Sequence, residues 1–185
     1  MSVNIPEYLN RIIDEKGAGY FVLIDPDTRQ EADLRNFVKE VNTAGADAIL
    51  VGGSLLFGSS FSRTVKIVKE ESKIPVILFP GSVQQISPEA DAILFLSLIS
   101  GRNPNFLIGD QVLAAPNIKK AGIQVLPTGY MLFKCGRTTT AEYMSHTKPL
   151  PVHKPEIAAA HALAAQYMGM KYVYLEAGSG ADQPI

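Results

Sequence analysis

Short apolar runs recur six times along this sequence, and each run ends at aspartate, glycine, serine, proline or glutamate. The runs cover residues 20–24, 48–51, 76–79, 92–96, 124–126 and 172–175. Apolar stretches of this length without alternating polar residues are typical of strands that are buried on both faces. We therefore predict six such strands, each with small, polar or charged residues at its carboxyl end.

Helical patterns separate most of these strands. Between strands one and two, the apolar residues follow the spacing of one helix face, at Leu34, Phe37, Val38 and Val41. An alanine-rich stretch over 157–168 predicts another helix before strand six. Only a short polar stretch, 84–87, separates strands three and four, so we expect the helix there to be shortened or lost.

Alternating strands and helices predict an α/β fold with a parallel sheet, in a single domain over residues 1–185. The two candidate architectures are an open doubly wound sheet and a (β/α)8 barrel, and both bind ligands beyond the carboxyl ends of their strands. A barrel places all six polar strand ends around one mouth, whereas an open sheet spreads them along an edge. We therefore favour a TIM-type barrel that lacks the helix after strand three.

Composition narrows the functional classes. The net charge of −1 gives no broad electrostatic attraction to nucleic acid. The single cysteine, Cys135, excludes an internal disulfide, and the first residues have neither the basic nor the long apolar segment of a signal peptide. No apolar run is long enough to span a bilayer. We therefore expect a cytoplasmic protein that does not bind nucleic acid.

Seven short motifs, taken together, resemble one enzyme family. They lie at residues 23–27, 51–54, 79–82, 126–130, 136–139, 147–149 and 174–180. In this order they resemble the geranylgeranylglyceryl phosphate synthases, which are prenyltransferases of ether-lipid biosynthesis, and within that family the second branch. The resemblance implies a (β/α)8 barrel without one helix, and a reaction that joins a long-chain prenyl diphosphate, such as geranylgeranyl diphosphate, to sn-glycerol 1-phosphate.

The same resemblance implies a C-terminally incomplete barrel. A barrel of this family has about 250 residues, and its last two strand–loop units hold the phosphate of glycerol 1-phosphate. Those units have no counterpart among the 185 residues. We therefore expect about six strands here, and we expect the isolated chain to be far less active than a complete barrel.

Site residues follow from the resemblance. Asp25 and Ser54 match the family's magnesium positions, and Mg²⁺ would neutralise the diphosphate leaving group. Glu176 matches the residue that receives the glycerol hydroxyls, where a carboxylate can accept a proton, and Tyr174 matches a hydroxyl near the phosphate. The remaining predicted substrate-binding residues are Leu175, Ala177, Gly178, Ser179, Gly180 and Arg137.

Two alternatives stay open at this point. A different barrel enzyme, such as an aldolase or isomerase of a small phosphorylated metabolite, would be favoured by a Schiff-base lysine at a strand end, and strands one to six have none. A non-catalytic fragment would keep the diphosphate half of the site alone. We also expect a homo-oligomer, because exposed edges at strands one and six invite association, and peripheral membrane contact through the lipid product.

Overall fold

Helices and parallel strands alternate in the computed structural model, which describes residues 3–58, 61–178 and 181–185. The α-helices are α1 (Ile5–Lys16), α2 (Glu31–Thr43), α3 (Phe61–Glu71), α4 (Asp110–Ala121), α5 (Thr140–Ser145) and α6 (Pro155–Tyr167), and a π-helix (Asn105–Gly109) directly precedes α4. The strands are β1 (Phe21–Ile24), β2 (Ala48–Val51), β3 (Val76–Leu78), β4 (Ala92–Ser97), β5 (Gln124–Leu132) and β6 (Tyr172–Glu176). In the sheet, strand order follows chain order from β1 to β6.

The predicted loss of a helix between strands three and four is confirmed. Residues 79–91, which are all described, contain turns and no helix. None of the helices in the described part of the chain is long and apolar enough to cross a membrane.

The chain folds into two compact units. The N-terminal unit comprises Met1–Leu94 and Asn117–Val125, and the C-terminal unit comprises Phe95–Pro116 and Leu126–Ile185. In the N-terminal unit, β2 and β3 are fully buried, and β1 pairs with β2 in parallel. Helices α1, α2 and α3 contribute apolar side chains such as Ile5, Val38 and Val65 to its core.

A repeated sequence, Ala-Asp-Ala-Ile-Leu, begins both β2 and β4 in the N-terminal unit. The carboxylate of Asp47 accepts hydrogen bonds from the Tyr20 N–H at 2.9 Å and from Lys16 Nζ at 2.5 Å. The carboxylate of Asp91 accepts equivalent bonds from the Val76 N–H at 2.8 Å and from Lys69 Nζ at 2.6 Å. Each aspartate thus fastens the start of the preceding strand to a lysine of the helix before it.

The C-terminal unit corrects the prediction for strand five. This strand was predicted to cover residues 124–126 and to end at 127–130, but residues 127–130 belong to β5, and residues 128–132 pair in parallel with β6. Proline and glycine there suggest a turn, yet the carbonyl of Pro127 accepts from the Lys171 N–H at 3.0 Å, a bond that needs no N–H from proline. A Cβ on Gly129 would lie 2.8 Å from Ile99, so close packing explains the glycine.

Burial of the outermost strands also differs from the prediction. Strands one and six were expected to be buried on both faces, which is wrong for both. Phe21 and Leu23 of β1 are 38% and 47% exposed, and Val173 and Leu175 of β6 are 45% and 51% exposed. One face of each of these two strands is therefore open, although their residue types resemble those of the buried strands. Helices α1 and α5 were not predicted.

Candidate active site

The loops that follow β1, β2 and β3 meet in the N-terminal unit, where the main chain at Gly53 and Gly81 carries no side chains. We call Asp25, Gly53, Ser54, Gly81 and Gln85 the N-terminal cluster. A Cβ on Gly81 would lie 2.2 Å from the carbonyl oxygen of Gly53 and 2.8 Å from the Cα of Ser54. Glycine is therefore required at 81, because any side chain would push the loops after β2 and β3 apart.

Asp25 lies half-buried at the carboxyl end of β1. Its Oδ1 accepts a hydrogen bond from the Asp27 N–H at 3.0 Å, and its Oδ2 lies 3.2 Å from where a Cβ of Gly53 would be. The Oδ2 of Asp27 accepts from the Phe57 N–H at 2.6 Å, which ties the loop after β1 to the loop after β2. The Asp25 carboxylate is thus held against the peptide that precedes Ser54.

These residues fit a magnesium ion that is coordinated by protein oxygens and phosphate oxygens together. Mg²⁺ is usually bound by one or two carboxylates or other oxygen ligands together with substrate phosphates. Asp25 offers a carboxylate oxygen at Gly53, and the neighbouring Ser54 is exposed. Within residues 3–58, 61–178 and 181–185, no group of three or more His, Cys, Asp or Glu side chains could hold a metal ion.

The ends of β5 and β6 form a second candidate site, in the C-terminal unit. We call Tyr130, Thr139, Tyr174, Glu176 and Gly178 the C-terminal cluster. The strand register sets Tyr130 opposite Tyr174 and Leu132 opposite Glu176, and the two tyrosine rings stack with centroids 5.7 Å apart and planes 4° apart. Because side chains alternate along a strand, Tyr174 and Glu176 lie on the same face of β6.

The hydroxyl groups around Glu176 keep their protons. Burial raises the pKa of Tyr130 far above its usual range, and the Glu176 carboxylate, with which its hydroxyl forms a hydrogen bond, raises it further. Burial and the charge of Glu176 also raise the pKa of Tyr174 and of the Cys135 thiol. The hydroxyls of Tyr130 and Tyr174 therefore keep their protons at neutral pH, and that of Tyr130 forms a hydrogen bond with the Glu176 carboxylate.

The backbone after β6 completes the C-terminal cluster. The Gly178 N–H donates to Glu176 Oε1 at 2.6 Å. Gly178 has a φ of +96°, and a Cβ there would lie 2.1 Å from Cγ2 of Thr139. Thr139 is buried and caps α5 by accepting from the Glu142 N–H at 3.3 Å. Packing against this threonine therefore fixes the turn that holds the carboxylate.

The other predicted site residues have different environments. Leu175 is exposed, on the face of β6 opposite Glu176, and Ala177 packs against the apolar cluster of Met131, Phe133, Cys135 and Leu150. Arg137 is exposed, its main-chain N–H donates to Asp182 Oδ2 at 3.0 Å, and its Nε lies 3.9 Å from Asp182 Oδ1. Ser179 and Gly180 lie outside the described residues.

Five residues of the two clusters were not predicted as site residues. They are Gly53, Gly81, Gln85, Tyr130 and Thr139. Tyr130 belongs to a motif that carries the family resemblance, and its pairing with Tyr174 follows from the strand register. Gln85 lies in a stretch with no periodic pattern, and nothing in the sequence there indicates that its side chain is buried.

Comparison with known proteins supports the resemblance. The sequence model of the PcrB family matches residues 10–185. The chain belongs to the PcrB family. It is 45% identical over 183 residues to the geranylgeranylglyceryl phosphate synthase of Methanosphaera stadtmanae, covering 99% of this chain and 74% of that protein. It is 46% identical over 179 residues to the synthase of Chitinophaga pinensis, covering 95% of this chain and 71% of that protein.

Solved structures of family members have the same fold. The wild-type enzyme of Thermoplasma volcanium matches with a TM-score of 0.87 and 36% identity, covering 96% of this chain and 72% of that chain. The (S)-3-O-geranylgeranylglyceryl phosphate synthase of Thermoplasma acidophilum, solved with its substrate sn-glycerol-1-phosphate, matches with a TM-score of 0.86 and 33% identity, covering 98% and 72%. The predicted fold class, a TIM-barrel-type α/β fold with six strands in this chain, is confirmed.

Proposed function

We propose that this PcrB-family chain belongs to a prenyltransferase that joins the geranylgeranyl group of geranylgeranyl diphosphate to sn-glycerol 1-phosphate. The single observation that carries this proposal is the environment of Glu176. Its carboxylate accepts a hydrogen bond from the Gly178 N–H and forms another with the hydroxyl of Tyr130, which remains protonated. A proton acceptor held this way at a strand end suits the activation of an alcohol, which is the nucleophile of an ether-forming transfer.

Glu176 has the central role in the reaction we propose. The glycerol hydroxyl gives its proton to the carboxylate as its oxygen bonds to the first carbon of the prenyl group. The bond between that carbon and the diphosphate oxygen breaks, and diphosphate leaves with the bonding electrons. Tyr174 donates a hydrogen bond to the glycerol phosphate, and the backbone from Leu175 through Ala177 to Gly178 lines this substrate. Ser179 and Gly180 follow in the sequence, and we propose that their main-chain N–H groups donate hydrogen bonds to the phosphate.

The leaving group belongs to the N-terminal cluster in this proposal. Asp25 and Ser54 would hold Mg²⁺, which when bound neutralises the charge of the departing diphosphate. The Asp25 carboxylate lies against Gly53, and Gly81 approaches the main chain of Gly53 closely, so neither residue places a side chain there. A diphosphate can come close to a main chain that carries no side chains. We propose Arg137 as a further cation for a phosphate oxygen, since guanidinium bonds such oxygens strongly.

The setting of this activity is part of the proposal. We propose a cytoplasmic enzyme whose lipid product brings it to the membrane surface, and a homo-oligomer. The open faces of β1 and β6, with Leu23 and Leu175 about half exposed, support association of this part of the chain with further protein.

A direct assay tests the activity. The protein as encoded by its gene is incubated with geranylgeranyl diphosphate, sn-glycerol 1-phosphate and Mg²⁺, and the product is identified by mass spectrometry. We expect geranylgeranylglyceryl phosphate to form, and little product when the stereoisomer sn-glycerol 3-phosphate is supplied. Binding of diphosphate without transfer of the prenyl group to either glycerol phosphate would contradict the proposed activity and favour a binding module.

A further inference from the structure

A buried glutamine lies behind the N-terminal cluster. Gln85 is 2% exposed and lies in the segment that replaces the missing helix between β3 and β4. Its main-chain N–H donates to the carbonyl of Ser82 at 3.1 Å, which closes a turn directly after the Pro80-Gly81 strand end. This turn directs its side chain to the loop after β2.

The amide of Gln85 is bonded to both sides of one residue. Its Nε2 donates to the carbonyl oxygen of Gly53 at 2.8 Å, and its Oε1 accepts from the Gly53 N–H at 3.3 Å. A primary amide has one acceptor and two donors, so it can pair with a residue's main chain much as a neighbouring strand does. Glutamine has the length for this, and no apolar residue could replace these bonds.

Gly53 is the residue whose position decides the geometry of the cluster. It precedes Ser54, it lies against the Asp25 carboxylate, and its carbonyl oxygen lies where Gly81 approaches most closely. With its own N–H and C=O both bonded to Gln85, Gly53 has its main chain fixed from behind. The cluster is therefore organised by a side chain that belongs to none of the predicted metal or substrate positions.

We propose that Gln85 is a positioning residue for the diphosphate-binding half of the site, acting through Gly53 on Asp25 and Ser54. This inference rests on the proposed function. It adds that the segment replacing the missing helix sets affinity for the magnesium–diphosphate pair and leaves affinity for glycerol phosphate unchanged.

Titration calorimetry of inorganic diphosphate with Mg²⁺ tests the positioning role of Gln85 separately from the proposed function. The protein as encoded by its gene should bind this pair. Gln85→Leu, which keeps most of the side-chain volume and removes both bonds, should weaken binding by about tenfold or more, since each unpaired buried polar group is costly. Its affinity for sn-glycerol 1-phosphate should stay within about twofold, a difference that a general loss of folded protein would not produce.

A neighbouring residue supplies the matched control. Gln84 is exposed and adjacent in sequence, so Gln84→Leu should leave diphosphate affinity unchanged. Gln85→Glu keeps the shape and the acceptor for the Gly53 N–H, but its ionised form loses the donor to the Gly53 carbonyl and adds a negative charge behind Gly53. It should therefore bind diphosphate more weakly still and need more Mg²⁺. In turnover assays, both Gln85 variants should raise the KM for prenyl diphosphate and leave the KM for glycerol phosphate unchanged.

The outcomes distinguish the inference from the function beneath it. If the unaltered protein does not bind magnesium and diphosphate, the proposed function of the cluster and the role of Gln85 both fail. If it binds them and a folded Gln85→Leu or Gln85→Glu variant binds equally well, only the role of Gln85 fails. Should neither variant fold, the side-chain amide resonances of the unaltered protein decide: those of Gln85 should shift on adding magnesium and diphosphate while those of Gln84 do not, and unmoved Gln85 resonances would overturn the proposal.

Discussion

Main-chain contacts dominate the N-terminal cluster, whereas side-chain contacts dominate the C-terminal cluster. In the first, the loops after β2 and β3 approach so closely at Gly53 and Gly81 that a Cβ would clash at 2.2 Å. In the second, two stacked tyrosines and a carboxylate share one face of two paired strands. The first arrangement exposes backbone beside an acid, and the second holds an acid among protonated hydroxyl groups.

The two constructions suit different chemical demands. A large anion with a metal ion needs room at the main chain and an oxygen ligand such as that of Asp25. A proton transfer needs one acceptor whose orientation is fixed before the substrate arrives, as it is for Glu176. Mutations in the two clusters should therefore differ in one measured quantity: those in the first should weaken diphosphate binding, whereas those in the second should leave it nearly unchanged.

The largest effect is expected at Glu176. Glu176→Gln keeps the size and one acceptor oxygen but removes the charge, so the turnover of the gene-encoded protein should fall by about 10²–10⁴-fold, as for loss of a general base. Each tenfold loss corresponds to about 1.4 kcal/mol of transition-state stabilisation. Affinity for prenyl diphosphate, measured by calorimetry, should barely change. A variant that kept its turnover but lost diphosphate binding would assign Glu176 to the other substrate.

A comparable but distinct loss is expected at Asp25. Asp25→Asn removes the charged ligand and keeps an oxygen that can accept from the Asp27 N–H. Magnesium-dependent diphosphate binding should weaken and turnover should fall roughly 10²-fold, with little change in melting temperature, because a hard cation prefers a carboxylate to an amide. Magnesium titrations at fixed diphosphate give the measurement. Normal magnesium dependence in this variant would contradict the metal role.

The sequence was more informative about strand ends than about what stands behind them. The motif at Asp25 and the glycines at 53 and 81 can be recognised in the sequence, because small and acidic residues directly after an apolar run indicate a polar site with an accessible main chain. The role of Gln85 could not be predicted from the sequence, since its burial depends on a turn in a segment without any periodic pattern. The family resemblance was carried by local motifs and confirmed by comparison over residues 10–185.

Tyr130 shows a different limit of sequence reasoning. The apolar run of strand five ends before the Pro-Thr-Gly stretch, so Tyr130 was placed beyond the strand rather than inside it. Pairing with β6 extends β5 to Leu132 and sets Tyr130 beside Tyr174. Local propensity favoured a turn, and the tertiary pairing of two strands overrode it. The same cause explains the outer faces of β1 and β6, whose exposure depends on neighbours rather than on residue type.

A smaller effect than that of either acid is expected at Tyr130. Tyr130→Phe keeps the stacked ring and removes the hydroxyl bonded to Glu176, so turnover should fall about tenfold, near the worth of a hydrogen bond to a charged group. The KM for prenyl diphosphate should not change. Tyr174→Phe is the matched comparison, and it should raise the KM for glycerol phosphate instead. Unchanged turnover in Tyr130→Phe would mean that the Gly178 N–H alone orients the carboxylate.

The smallest effect on turnover is expected at the opposite ends of the strands in the N-terminal unit. Asp47 precedes β2 and is buried, and its bonds to Lys16 and to the Tyr20 N–H hold the pKa of its carboxyl below the usual value. A depressed pKa stabilises the folded state above the unfolded pKa of about 3.9, and that stabilisation is lost as the pH falls towards the folded pKa. Lys16 is largely exposed, so solvent weakens its share.

Asp47→Asn should therefore lower the free energy of unfolding by about 1 kcal/mol at pH 7, a shift of roughly 2–4 °C in melting temperature. The difference between variant and unaltered protein should shrink below about pH 4, because protonation then removes the same charge from Asp47. Thermal melts across pH 3–8 give the measurement, with turnover and diphosphate affinity unchanged at pH 7. A loss of diphosphate affinity in this variant would show that the two ends of these strands are coupled, and the contrast between the clusters could no longer be attributed to local construction alone.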